Sequence, residues 1–253
     1  MATEIRFLAR RARTAFPGDA QGLRNRLSDK DPPRAVAAAE TLKYKVELIT
    51  PLFGGGVEPG VNDPQLPVRM KALRGQLRFW WRLLAAYGGF QDCGLSALIN
   101  GSVLYEAETA RWGGAGENGK PIPGRIGLRA LNPHGFDDTG KYGTAPQFRE
   151  PTRAIDYSLF PAKRGEQDGN DAKTLILPKE WVGQNKDVSC FTLEISVNAG
   201  DAPKASQIAQ ELRCTVAWWA TFGGIGARWR RGVGSVRVCD EKNNLLCVLD
   251  DDP

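Results

Sequence analysis

Residues 42–49, LKYKVELI, alternate strictly: Leu42, Tyr44, Val46 and Leu48 fall on one side, and Lys43, Lys45, Glu47 and Ile49 on the other. A period of two is the mark of a half-buried strand. Over residues 70–87 the period lengthens to that of a helix. Leu73, Leu77, Trp80, Trp81 and Leu84 form an apolar face, Arg74, Arg78 and Arg82 form a stripe beside it, and Gly88-Gly89 ends the segment. Alternation returns at 125–131, RIGLRAL, and most strongly at 188–197, VSCFTLEISV. Asp201-Ala202-Pro203 then opens a second helix, with Asp201 near the cap and the proline in the first turn. Ile208, Leu212, Val216 and Trp219 run along its buried face, and it ends at Phe222. A strand is expected at 234–239, with 245–249 as its hairpin partner across 240–244.

The order strand, helix, strand, strand, helix, strand predicts an α+β fold: the split βαβ, ferredoxin-like arrangement that RNA-recognition domains also use. Residues 1–41 read as a basic N-terminal arm, with Arg6, Arg10, Arg11 and Arg13 early and Pro17-Gly18 and Pro32-Pro33 as breakers. Residues 42–253 form the domain, with a loop-rich insertion at about 132–187 that lacks the apolar residues for its own core. Short apolar pieces at 157–160 and 174–177 are candidate strands within it. Residues 97–104 fit no period, and 112–123 read as a glycine-rich loop. No internal repeat is visible.

Composition narrows the class. No run of 18 apolar residues exists, so no transmembrane helix is expected, and the N-terminus lacks the order of a secretory signal. Five cysteines stand without a CxxC pair, which points to reduced thiols in a cytoplasmic protein and to no zinc site. Net charge is +5, and its placement says more. Residues 69–87 carry Arg69, Lys71, Arg74, Arg78 and Arg82, and residues 223–238 carry Arg228, Arg230, Arg231 and Arg237. Neither stretch has an acid, so the rest of the chain nets −4. Basicity that is local in this way marks a binding surface for a polyanion.

The second stretch reads GGIGARWRRGVGSVRV. Glycine lets backbone N–H groups approach an anion closely, and arginine offers a charged fork to phosphate. Gly223, Gly224 and Gly226 suit backbone contacts; Arg228, Arg230 and Arg231 suit charge-assisted ones. Trp229 has two readings, stacking on a base or packing beneath the loop. Trp80 and Trp81 read as core. A third glycine run, Gly54-Gly55-Gly56, follows the first strand. It fits neither a GxGxxG nor a P-loop pattern, so no mononucleotide or small-molecule site is indicated.

Taken together, Thr50-Pro51-Leu52-Phe53-Gly54-Gly55-Gly56, then Leu73-Arg74-Gly75-Gln76-Leu77-Arg78-Phe79-Trp80-Trp81-Arg82, then the loop from Gly223 to Ser235 resemble the RAMP superfamily, the repeat-associated mysterious proteins of CRISPR systems. Within it they look most like the first Cmr subunit of type III-B effector complexes. The resemblance spans about residues 43–240. It implies a cytoplasmic, RNA-binding subunit of a type III CRISPR-Cas ribonucleoprotein in antiviral defence. Such a subunit holds the CRISPR RNA near its 3′ end or captures target RNA, beside other Cas subunits. Gly54, Gly55, Gly56, Arg74, Arg78, Arg82 and the Gly/Arg loop would carry the RNA. The chain is shorter than relatives with two ferredoxin-like halves, so a second half is expected to be reduced or absent.

Catalysis has two candidates. His134 is the sole histidine, which excludes a His-pair ribonuclease but leaves a lone general base. Asp63 lies in the loop after the first strand, where RAMP subunits that slice target RNA place an aspartate; that reading would need a divalent metal. Otherwise no cofactor is implied. A third reading is a purely structural module whose arginines pair with acidic partner subunits.

Overall fold

The computed structural model describes residues 39–54, 67–116, 119–136, 139–140, 175–176 and 189–249, all within the unit Ala38–Pro253. Gly55, Gly56, Asp63, residues 157–160 and residues 1–38 of the expected arm lie outside them; residues 39–41, counted with the arm in the sequence, belong to the first strand, Ala39–Leu48, because they pair with the strand Cys190–Asn198. The elements run in the order β1 (Ala39–Leu48), β2 (Leu52–Phe53), α1 (Met70–Tyr87), α2 (Gly101–Trp112), β3 (Gly114–Ala115), β4 (Pro121–Ile122), β5 (Ile126–His134), β6 (Thr139–Gly140), β7 (Leu175–Ile176), β8 (Cys190–Asn198), α3 (Ala202–Phe222) and β9 (Val236–Cys239).

Each period-two segment becomes a strand because it buries one row of side chains. Leu42, Tyr44, Val46 and Leu48 of β1 and Phe191, Leu193, Ile195 and Val197 of β8 are all buried. Antiparallel pairing places Leu42 opposite Ile195, Tyr44 opposite Leu193 and Val46 opposite Phe191, so the two rows share a face. A slip of either strand by one residue would turn its row to solvent, which fixes the register. β5 adds outside β8 and β9 outside β1, giving the order β5-β8-β1-β9 with every neighbour antiparallel. With α1 before β5 and α3 before β9, this is the ferredoxin-like arrangement the order of elements predicts.

The helices cover the apolar face. α1 buries Leu73, Leu77, Trp80, Trp81 and Leu84, as its spacing requires. Gly88 ends it at φ 80°, a left-handed conformation that glycine adopts without strain. α3 begins where expected: the Asp201 carboxylate accepts from Lys204 N at 2.8 Å. Trp80 and Trp81 are both in the core.

Three features differ from the sequence pattern. Residues 101–112, partly inside the segment without a period, form α2. It has no apolar stripe; its buried residues are Glu108, Thr109 and Trp112, and Asn100 starts it by accepting from Ser102 N at 2.9 Å. The glycine-rich loop contains the small hairpin β3–β4. The expected 245–249 strand is only a bridge, Cys239 opposite Leu245, beyond a turn that Asp240 holds by accepting from Lys242 N and Asn244 N at 2.9 and 2.8 Å. A further small sheet, β2-β7-β6, ties the segment after β1 to two pairs of residues in the insertion.

A buried carboxylate locks α1, α2 and α3 together. Glu211 on α3 accepts from Arg111 Nε at 2.6 Å, Arg111 Nη2 at 2.7 Å and Trp81 Nε1 at 3.0 Å. Arg111 also lies 5.2 Å from the centroid of the Trp81 ring. Removing one member of a buried, hydrogen-bonded pair strands the other charge. Glu211→Ala is expected to lower stability by about 3–5 kcal/mol in urea titration; a loss under about 1 kcal/mol would contradict this role.

Candidate nucleic-acid interface

The segment after β1 and the Gly/Arg loop before β9 meet. The Thr50 hydroxyl accepts from Ser235 N at 2.8 Å and donates to the Gly232 carbonyl at 2.7 Å, across 182 residues of sequence. Gly234 N donates to Pro51 O at 2.8 Å and Ala227 N to Phe53 O at 2.9 Å. Ile225 N then closes the loop on itself through Gly234 O at 2.8 Å. Two motifs that read separately in the sequence are one substructure.

The loop glycines serve this packing. A Cβ on Gly226 would collide with Leu52 Cδ1 and the Phe53 carbonyl, and one on Gly234 with the Ile225 carbonyl. Gly223 N caps α3 by donating to Trp219 O at 2.7 Å, so that N–H is engaged inside the protein. Arg228 has φ 61°, unusual for a residue with a side chain, and starts a 3-10 turn over Trp229–Arg231. The turn leaves Arg230 and Arg231 exposed and Arg228 half-exposed. Trp229 is half-buried and packs against the core.

The arginine stripe of α1 resolves differently. Arg74 turns inward, donating to Ile126 O at 2.8 Å and to Trp112 O, with its guanidinium 5.4 Å from the Trp112 ring centroid. Burial, and after it the neighbouring Arg78, pull its pKa below the usual arginine value. Arg78 donates to Glu108 at 2.7 Å, and Arg82 reaches the same carboxylate at 3.8 Å. The absence of acid within α1 did not signify a bare cationic face. The acid comes from α2, where Glu108 is buried and holds both arginines.

A groove of about 310 Å³ opens where the motifs join the start of α1. Leu52, Phe53, Gly54, Pro67, Val68, Arg69, Ala72, Leu73, Ile225, Gly226 and Ala227 line it. Arg69 is the N-cap, with no side-chain hydrogen bond to the helix and no acid in the first turn. Helix N-termini carry partial positive charge and unpaired N–H groups. Arg69 and Lys71 are exposed here. Their charge counts in the sequence, but they fall off the i, i+4 stripe, and only the fold sets Arg69 in one groove with residues 225–227 of the Gly/Arg loop.

The open face of the sheet carries a different pattern. Lys45 pairs with Glu47 at 2.6 Å, Arg237 with Glu47 at 3.7 Å, and Arg129 with Glu194 at 3.6 Å. Among the described residues no aromatic stands on this face, so it lacks the stacking platform of RNA-recognition domains. His134 is exposed at the end of β5. Among the described residues no cluster of three or more His, Cys, Asp or Glu has metal-binding geometry, and no helix is long and apolar enough to cross a membrane.

The glycines give a graded test of the joined motifs. Gly232 has φ 77° with open space where a Cβ would stand, so Gly232→Ala should cost only the left-handed strain, about 1–2 kcal/mol. Gly226→Ala adds the collision to similar strain and should cost more, measured by urea denaturation; equal losses would contradict the packing described.

Among curated proteins none matches the chain. Among solved structures it is similar to a chain of the type III-B Cmr-beta complex bound to cognate target RNA, determined by cryo-electron microscopy. The identity is 17% and the TM-score 0.45, over 79% of this chain and 54% of that one. The chain thus spans about half the length of the chain it matches. A family model for the RAMP superfamily matches residues 45–237. That span runs from within β1 to within β9 and takes in both glycine motifs, and the chain belongs to the RAMP superfamily.

Proposed function

We propose that the chain is an RNA-binding subunit of a type III CRISPR-Cas effector, and that it grips the backbone of single-stranded RNA at the junction of the two glycine motifs. Membership of the RAMP superfamily supports the class. The observation that carries the reading is the exposed Arg228–Arg231 turn on a loop pinned at both ends, whose preceding residues Ile225, Gly226 and Ala227 line one groove with Arg69 at the start of α1. The anchored backbone fixes where the guanidinium groups stand, and fixed groups lose less entropy on binding than mobile ones. In this reading Arg228, Arg230 and Arg231 contact successive phosphates, Arg69 and the α1 N-terminus take a further one, and Trp229 seats the turn. CRISPR RNA and target RNA are the partners the family implies, with other Cas subunits alongside.

Within this function α1 divides. Its N-terminal end faces the RNA; Arg74 serves the fold; Arg78 and Arg82 sit on Glu108 and hold α2 in place. No observation on the described residues favours the slicing alternative, and Asp63 lies outside them.

Substituting Arg228, Arg230 and Arg231 together with alanine should weaken binding to single-stranded RNA irrespective of its sequence. It should also flatten the plot of log affinity against log salt by about 2, since each phosphate contact on a single strand contributes about 0.7. Filter binding across a salt series measures this, and an unchanged slope would overturn the reading. Arg74→Ala, by contrast, should lower the melting temperature at little cost to the salt slope of the folded protein.

A further inference from the structure

Two of the five cysteines meet in the fold. Cys93 ends the 3-10 turn Gln91–Cys93 that follows α1, and Cys214 stands in the middle of α3. They are 121 residues apart in sequence, both are half-buried, and their sulfurs lie 3.9 Å apart, in van der Waals contact. Nothing in the RNA-binding reading uses them.

We propose that Cys93 and Cys214 form a thiol–disulfide exchange site that reacts with low-molecular-weight disulfides of the glutathione class and closes to an intramolecular disulfide. One thiolate attacks the small disulfide, forming a mixed disulfide and releasing one small thiol. The second cysteine then attacks the protein sulfur of that bond, the Cys93–Cys214 bond forms, and a second small thiol leaves. Two protein thiols are oxidised and one small disulfide is reduced to two thiols, so no further oxidant is needed.

Closing the bond brings the sulfurs from 3.9 Å to about 2.05 Å. The turn has the means to move. It is three residues long, starts from Phe90 and ends at Gly94 with φ 77°, and nothing stands within 4 Å of a Cβ placed on Gly94. α3 is anchored through Glu211, one turn before Cys214, so the turn does the moving.

The surroundings set the rate. Burial, with the Cys214 sulfur next and then Glu211 and Asp92, pushes the Cys93 thiol up to about 11. Arg111 of α2 is committed to Glu211 and does not offset this. Tyr44 on β1, which also feels the Cys214 sulfur and the neighbouring Arg213, is itself pushed up to about 12 by burial and is neutral at working pH. Cys93 is therefore almost wholly protonated near neutrality. Exchange should be slow there and quicken as pH rises toward 11, because the thiolate is the reacting form.

The test uses the full chain, incubated with oxidised glutathione at pH 7.5 and pH 9, blocked with an alkylating agent, digested without reductant and read by mass spectrometry. The expected result is a Cys93–Cys214 linked peptide as the main cross-link, at least several-fold faster to form at pH 9 and reversed by dithiothreitol. The melting temperature should rise by several degrees in the oxidised form, since the bond restrains a long loop of the unfolded chain. Cys93→Ser should lose both the link and the rise. Glutathione adducts that persist on Cys93 or Cys214 without linkage, or linkage chiefly through Cys190, Cys239 or Cys247, would overturn the proposal.

Discussion

The Thr50 hydroxyl holds the two ends of the fold's functional edge together. It accepts from Ser235 N and donates to Gly232 O, so one side chain fixes both limbs of the Gly/Arg loop against the segment that leaves β1. Everything proposed for RNA depends on that join. Without it the loop would be a glycine-rich tether, and its arginines would pay the full entropy of ordering on binding. With it, residues 225–227 stand at a fixed place against the start of α1, and the turn Trp229–Arg231 follows directly from them. The glycines are thereby explained by protein contacts: Gly226 and Gly234 lie where a side chain would strike β2 or the loop's own backbone.

The same logic sorts the charges. Two buried carboxylates, Glu108 and Glu211, take Arg78, Arg82 and Arg111 into the architecture. Desolvated pairs of this kind hold elements in register more than they add net stability. Arg74 spends its donors on two carbonyls. Of the basic residues at and within α1, Arg69 and Lys71 are exposed at its N-terminal end, and Arg82 is exposed over Glu108. The basic character of the chain is thus partly internal scaffolding and partly surface, and only the second kind raises affinity for a polyanion.

The architecture was largely legible in the sequence. Alternation at β1 and β8 and helical spacing at α1 and α3 reflect burial on one face, which the order of residues records directly. α2 was hidden because it buries Glu108, Thr109 and Trp112 and exposes Val103 and Tyr105, so its hydropathy has no helical stripe; Asn100 as a cap was its one signal. The glycine motifs were visible, but their contact across 182 residues was not. Nor could spacing alone show that the arginines of α1 answer an acid on another helix, since a pair across elements leaves no local trace. The meeting of Cys93 and Cys214 was invisible for the same reason.

The central claim is that RNA lies along the joined glycine motifs and the start of α1, not across the open sheet. Ultraviolet cross-linking of the full chain to a uniformly 4-thiouridine-labelled single strand, with the attached peptides mapped by mass spectrometry, tests it most directly. Adducts should concentrate on the peptides that carry Arg69 and residues 224–231. Adducts concentrated instead on β1, β5 and β8, at Lys43, Lys45 and Arg129, would place the RNA on the sheet and contradict the account.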